Sequence, residues 1–129
     1  MQRREREPIA TTGQLAAVVS SALWTPGGKH KARHPATRTF QALRIAVNHE
    51  LDNLRDLLAA APGLVRKDGW IAIISYHSLE DGLVKRDFKE NEHEGRYRIR
   101  TKKPITPSRE EIAANHRARS AKLRIAEKT

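Results

Sequence analysis

The chain of 129 residues contains no cysteine. That excludes disulfide bridges, a thiolate nucleophile and any metal site built on sulfur. No apolar run comes near the ~18 residues a membrane span requires. The first residues lack the apolar core of a signal peptide, so a cytoplasmic protein without membrane contact is expected. A Gly-rich phosphate loop is missing too, because Gly27-Gly28 follows a proline and opens no suitable helix. No internal repeat is present. Hydrophobic residues make up only 38%, low for a globular chain, so one domain with a modest core is expected.

Positive charge is abundant. The net charge is +10 with a pI near 10.5. It is unevenly placed. Residues 24–44 carry five basic and no acidic side chains, and residues 96–129 carry eleven basic and three acidic. Between them, residues 45–95 carry six basic and ten acidic. Two basic segments around an acidic middle point to a polyanion-binding face, with a solvated surface as the alternative.

The apolar pattern sets the expected elements. Residues 1–8 read as a frayed lead-in. Thr11 and Gln14 have capping-box spacing, and Leu15, Val18, Val19, Ala22 and Leu23 follow with helical period. Residues 24–36 form a loop rich in Pro, Gly and basic residues. A long helix is expected from Thr37 to Thr39 onward, with Phe40, Leu43, Val47, Leu51, Leu54, Leu58 and Ala61 on one face and Pro62-Gly63 as its stop. Asp68-Gly69 is a turn. Residues 70–75 are a continuous apolar run, which suits a strand buried on both faces as in a parallel sheet. Ser78 is placed to cap the next helix, with Asp81 as its capping-box partner. Residues 96–101 and 121–126 alternate charge with apolar residues and read as strands, an antiparallel pair being open to them. Ser108 and Glu111 cap a short helix between. The order is an α/β pattern, yet with three strands it is incomplete, and the others are expected to precede residue 1.

Three segments concentrate candidate functional groups. In residues 34–48, His34, Arg38, Gln41, Arg44 and Asn48 crowd the mouth of a helix that also packs a core. In residues 73–81, Ser75, Tyr76, His77 and Ser78 sit at the C-terminal end of a strand, where open α/β sheets bind ligands. His77 is there a general base or an RNA contact, or simply an exposed side chain. In residues 115–124, Arg117, Arg119 and Lys122, with Arg124 and Lys128, offer phosphate-binding charge. The same residues would equally guard a sheet edge, and Asn115 is suited to a helix C-cap. His30 and His34 lack a third ligand, so no metal site is expected.

These segments resemble the C-terminal portion of the MraW/RsmH family, the S-adenosylmethionine-dependent 16S ribosomal RNA cytosine-N4 methyltransferases of bacteria. The resemblance rests on residues 34–48, on residues 73–81 with Val84-Lys85, on residues 103–107 and on residues 118–124, in that order and spacing. It extends from about Arg3 onward. Tyr76 stands where the family has Phe, Gly82 where it has Arg and His116 where it has Pro. The resemblance implies the C-terminal half of a Rossmann-like methyltransferase fold over residues 37–129. Residues 1–36 would be the tail of a helical insertion domain. It implies 16S rRNA in the small ribosomal subunit as partner and S-adenosylmethionine as the family's cofactor. The family's Gly-rich loop, ribose-binding acid and catalytic Asp motif have no counterpart in this sequence. No cofactor-binding or catalytic residue is therefore carried over. The chain is expected to be inactive alone, and to associate with a missing N-terminal half or with a second copy. A stand-alone basic RNA-binding module is the alternative.

Overall fold

A computed structural model describes residues 8–23 and 34–129. The expected lead-in and most of the basic loop, with His30, lie outside the described residues. The chain divides into two compact units, Met1–Glu50 and Leu51–Thr129. Among the described residues, no helix is long and apolar enough to cross a membrane.

The first unit carries α1 (Thr12–Ala22) and α2 (Thr37–Val47). α1 begins at the expected capping box. Thr11 Oγ1 accepts from Gln14 N at 3.2 Å, and Gln14 Oε1 accepts from Thr11 N at 3.0 Å. α2 starts at Thr37, as its spacing predicts, but it is not one long helix. The chain breaks at Asn48-His49, where His49 takes φ 52°. α3 (Glu50–Leu64) begins immediately after. The expected apolar face is not buried along its length: Leu43 and Val47 are exposed, while Leu58 and Ala61 are buried. Nor do Pro62-Gly63 stop α3. The helix continues to Leu64, and Val65 N still donates to Ala61 O at 3.1 Å. Proline removes only its own donor, and in the last turn that is a small loss.

The second unit then forms β1 (Trp70–Ser75), α4 (Ser78–His93), β2 (Tyr97–Ile99), α5 (Arg109–Ala114), a short 3-10 turn (His116–Ser120) and β3 (Lys122–Lys128). The sheet order is β1-β3-β2, and both pairings are antiparallel. The antiparallel pair at the C-terminal end is as expected. β1 departs from expectation: among the described residues its one partner is β3, antiparallel. Only one of its faces is covered. Ile71 and Ser75 are buried, whereas Trp70 and Ile74 are 63% and 55% exposed. Strand side chains alternate, so a sheet with helices on one face buries half of any strand, however apolar the run.

The core lies between that face and α3 and α4. It gathers Leu58, Ala61, Ile71, Val84, Phe88, Tyr97 and Ala126. Ile71 and Ile99 both oppose Ala126, which places all three on one side. β3 therefore turns Arg124 and Ala126 inward, while Leu123 and Ile125 stay half-buried. The alternation expected for this strand is present, with the Arg124 and Ala126 side inward.

The turn before β1 needs glycine for space. A Cβ at Gly69 would stand 2.7 Å from Val65 Cγ1 and 2.8 Å from the Arg66 carbonyl oxygen. The backbone cannot yield easily, because Asp68 N donates to Lys128 O and Lys128 N to Gly69 O, each at 2.8 Å. Gly69→Ala is expected to cost roughly 1–3 kcal/mol. A thermal melt should fall by about 4–8 °C for each kcal/mol lost; an unchanged midpoint would contradict this packing.

Candidate nucleic-acid interface

The residues 34–48 group lies in the first unit. His34 is exposed, and its Nδ1 accepts from Ala36 N at 3.2 Å. Thr37 Oγ1 donates to His34 O at 2.8 Å, so His34 organises the start of α2. Arg38, Gln41 and Arg44 recur every three residues and share one side of that helix. Arg38 is exposed and Gln41 half-buried. Arg44 Nε is engaged by Glu50 at 2.8 Å, and Asn48 Nδ2 donates to the same carboxylate at 3.4 Å. Arg38 is the member of this group that presents an unpaired charge among the described residues.

The other two groups lie in the second unit, at the junction of β1, α4 and β3. Ser75 is 3% exposed and its Oγ donates to Lys122 O at 3.4 Å, so it faces the interior and not a cleft. Tyr76 and Ser78 are exposed. His77, not Ser78, caps α4, and its box partner is Glu80, not Asp81. His77 Nδ1 accepts from Glu80 N at 3.3 Å. Glu80 Oε2 accepts from Tyr76 N at 2.8 Å and His77 N at 3.2 Å. An imidazole nitrogen accepts as an oxygen cap would, and the glutamate also favours the positive helix end.

Asp81 is thereby released for another role. Its carboxylate accepts from Arg124 Nε at 2.7 Å and Nη2 at 3.3 Å, and from Lys122 Nζ at 3.2 Å. Arg124 is 7% exposed. The Arg124 guanidinium holds the Asp81 carboxyl below its ordinary pKa, and Lys122 adds to this, against the opposing effect of burial. The 73–81 and 115–124 segments thus meet in one buried ion-paired cluster. Two residues counted as phosphate-binding charge, Lys122 and Arg124, share the one carboxylate of Asp81. The helical period hints at this, since Asp81, Val84 and Phe88 share the inward side of α4.

Arg117 and Arg119 are exposed on the 3-10 turn, held by Asn115. That residue closes α5 by donating its N–H to Glu111 O at 2.8 Å, and its Oδ1 accepts from Arg117 N at 3.1 Å. The C-cap expected at Asn115 is present. Ala118 between the two arginines is buried and anchors the turn. Among the described residues neither Arg117 nor Arg119 has an acidic partner.

A cavity of about 320 Å³ opens beside this cluster, between α4 and the segment after β2. Lys85, Lys89 and Glu92 border it from α4, Thr101 and Lys102 from the segment after β2, and Arg124 from β3. The three lysines were not among the candidate residues. The signal for them was helical spacing, since Lys85 and Lys89 stand one turn apart.

The MraW methylase family matches the chain over residues 1–129. The ribosomal RNA small subunit methyltransferase H of Acidobacterium capsulatum is 54% identical over 121 residues, covering 94% of this chain and 40% of that protein. The protein of the same name from Koribacter versatilis is 50% identical, covering 92% of this chain and 38% of its own length. That of Rhodopirellula baltica is 47% identical, covering 99% and 38%. The chain spans about two fifths of the length of these curated relatives. With the match running over the whole sequence, the chain belongs to the MraW methylase family.

Proposed function

We propose that this chain is part of an S-adenosylmethionine-dependent methyltransferase that modifies a cytosine N4 amine of 16S rRNA. In this reading it supplies scaffold and RNA-facing surface and does not hold the methyl donor. The family match over residues 1–129, with relatives named for small-subunit rRNA methylation, carries the proposal. Residues 37–129 would be the second half of a Rossmann-like methyltransferase domain, and residues 1–36 the tail of a helical insertion. Arg38, Arg117 and Arg119 are the exposed cations most available to phosphate.

Two features support a donor site outside this chain. The cap of α4 lies at the C-terminal end of β1, where such sheets bind cofactors. Its amides at Tyr76, His77 and Glu80 are already taken by the His77–Glu80 box, so a ligand carboxylate finds no donors there. The cavity does not suit the donor either. Its lysine rim repels a sulfonium and an ammonium group. The described residues therefore do not fit the cofactor.

Association is part of the same proposal. Among the described residues β1 has one edge unpaired, and Trp70, Ile74 and Ile105 expose apolar area on the sheet. Such an edge is normally covered. The remaining portion of a family member, or a second copy of the chain, would cover it.

Calorimetry with S-adenosylmethionine and a methyl-transfer assay on small-subunit rRNA test this reading. The chain alone is expected to give neither binding heat nor transfer. Transfer is expected once the remaining portion of the Acidobacterium capsulatum relative is added. Micromolar donor binding, or transfer by the chain alone, would overturn it. The density of basic residues in 96–129 favours a second reading, a stand-alone RNA-binding module. Salt-dependent RNA affinity that needs no added polypeptide, with transfer never restored, would select it.

A further inference from the structure

The cavity beside α4 has a basic rim and an apolar side. On α4, Lys85, Lys89 and Glu92 follow at helical spacing and face the same side. Opposite them, Thr101 is fixed to β3: its Oγ1 accepts from Ile125 N at 2.8 Å, and its N donates to Ile125 O at 3.3 Å. That double tie sets the position of Lys102. Glu92, the one carboxylate in the wall, is tied to β2, since its Oε1 accepts from Ile99 N at 2.9 Å; Lys85, Lys89, Lys102 and Arg124 outweigh its charge.

Arg124 forms part of the wall and is more than nine-tenths buried. Asp81 holds it through Nε and Nη2. Its Nη1 makes no hydrogen bond among the described residues. Lys85, Lys89 and Lys102 are exposed and have no ion-pair partner among the described residues. Ile99 and Thr101 give the cavity an apolar side. Three unpaired ammonium groups exclude a metal ion and attract a phosphate, which lysine binds as a point charge. A volume of about 320 Å³ is at the small end of ligand pockets, enough for one nucleotide unit.

We propose that this cavity seats a backbone phosphate of the RNA strand, with its ribose against Ile99 and Thr101. The inference rests on the RNA-binding reading above and adds a definite contact point to it. Of the candidate residues taken from the sequence, Arg124 is the one that lies in this wall.

Fluorescence anisotropy with a short labelled oligoribonucleotide and the full chain tests the proposal. The variant Lys85→Gln/Lys89→Gln/Lys102→Gln changes only exposed side chains. It should melt like the wild type and lose roughly tenfold in affinity, with a salt slope shallower by about 2. A control with the same charge loss, at exposed residues outside the cavity lining and not adjacent in sequence to it, is Arg66→Gln/Lys67→Gln/Arg109→Gln. It should lose less than about twofold at physiological salt, where screening is strong beyond ~8 Å. If wild type binds RNA and both variants weaken alike, the cavity is no site and only this inference falls. If wild type shows no salt-dependent RNA binding, the RNA-binding reading falls with it. Cytidine monophosphate or inorganic phosphate competing as strongly as the oligonucleotide would identify a free-phosphate site and overturn the strand assignment.

Discussion

Asp81→Ala should be among the most damaging single changes in the second unit, costing about 3–5 kcal/mol. Removing one partner of a buried pair leaves the other charge without compensation, and here that charge is Arg124, whose side chain is 8% exposed. Lys122 contributes less, because its side chain is 36% exposed and solvent screens it. Domains of this size are stable by only about 5–15 kcal/mol, so the urea midpoint should collapse. The double variant Asp81→Leu/Arg124→Met separates the two possible causes. Replacing a buried pair by apolar groups is often neutral or stabilising, so the double variant should recover most of the loss. A double variant as unstable as Asp81→Ala would mean that the pair itself, and not the orphaned guanidinium, supplies the stability. The pH dependence has a definite sign. The Asp81 pKa is lower in the folded chain than in the unfolded one, so its stabilisation is present above the unfolded value near 4 and is lost as pH falls through the folded value. Asp87 acts in the opposite direction, since burial and then Glu90 raise its pKa. The acid limb of wild type should therefore be shallower than Asp81 alone would give. The double variant should lack the Asp81 part.

Local chemistry was legible in the sequence wherever a common residue type carried it. Thr11 with Gln14, Ser108 ahead of Glu111 and Asn115 as a C-cap all follow from spacing. His77 was not, because histidine is not among the usual N-cap residues and Ser78 beside it is a better candidate by type. That error of one residue hid Asp81, since a residue assigned to a cap is not sought as the partner of a buried arginine. β3 was legible as a strand, but its inward face was not. Alternation shows that two faces differ but not which one is inside. The Leu123/Ile125 side is the more apolar, yet Arg124 and Ala126 face the helices, because Asp81 supplies the counter-charge. The break at His49 leaves no mark in the apolar period. β1 read as fully buried because an apolar run records what a strand tolerates, and not what covers it.

Of the candidate site, composition located the charge but could not divide it. Lys122, Arg124 and Arg44 each have an acidic partner and so belong to the scaffold. Among the described residues, Arg38, Arg117 and Arg119 do not. The sequence separates Asp81 from Arg124 by 43 residues, and only the β1–β3 pairing brings the α4 start against that strand.

Phe88→Ala should cost about 3–5 kcal/mol, the range for deleting a buried aromatic side chain. Phe88 is 2% exposed and joins α4 to the sheet. Its ring meets Tyr97 edge-on, with centroids 5.8 Å apart and planes at 86°, a geometry worth about 0.5–1.5 kcal/mol within that loss. Phe88→Leu keeps most of the volume and should cost less than about 1.5 kcal/mol. Urea unfolding of both variants checks the ranking. A loss below about 1 kcal/mol for Phe88→Ala would place the core elsewhere than between α4 and the sheet. Tyr97 gives an independent reading. Burial pushes its phenol up to about 12, and the Asp87 carboxylate adds to this. Its hydroxyl and Asp87 Oδ2 are both buried without a partner. A folded-state pKa above the unfolded value near 10 means that stability is full below that value and falls as pH rises through the folded one. The Tyr97 contribution to wild-type stability should therefore be constant below about pH 10 and fall above it. The space left by Phe88→Ala would admit water to the phenol and to Asp87, relieving two unsatisfied groups. The measured cost should then sit at the low end of the range, and the fall above about pH 10 should be smaller, because the folded phenol moves back toward its ordinary value.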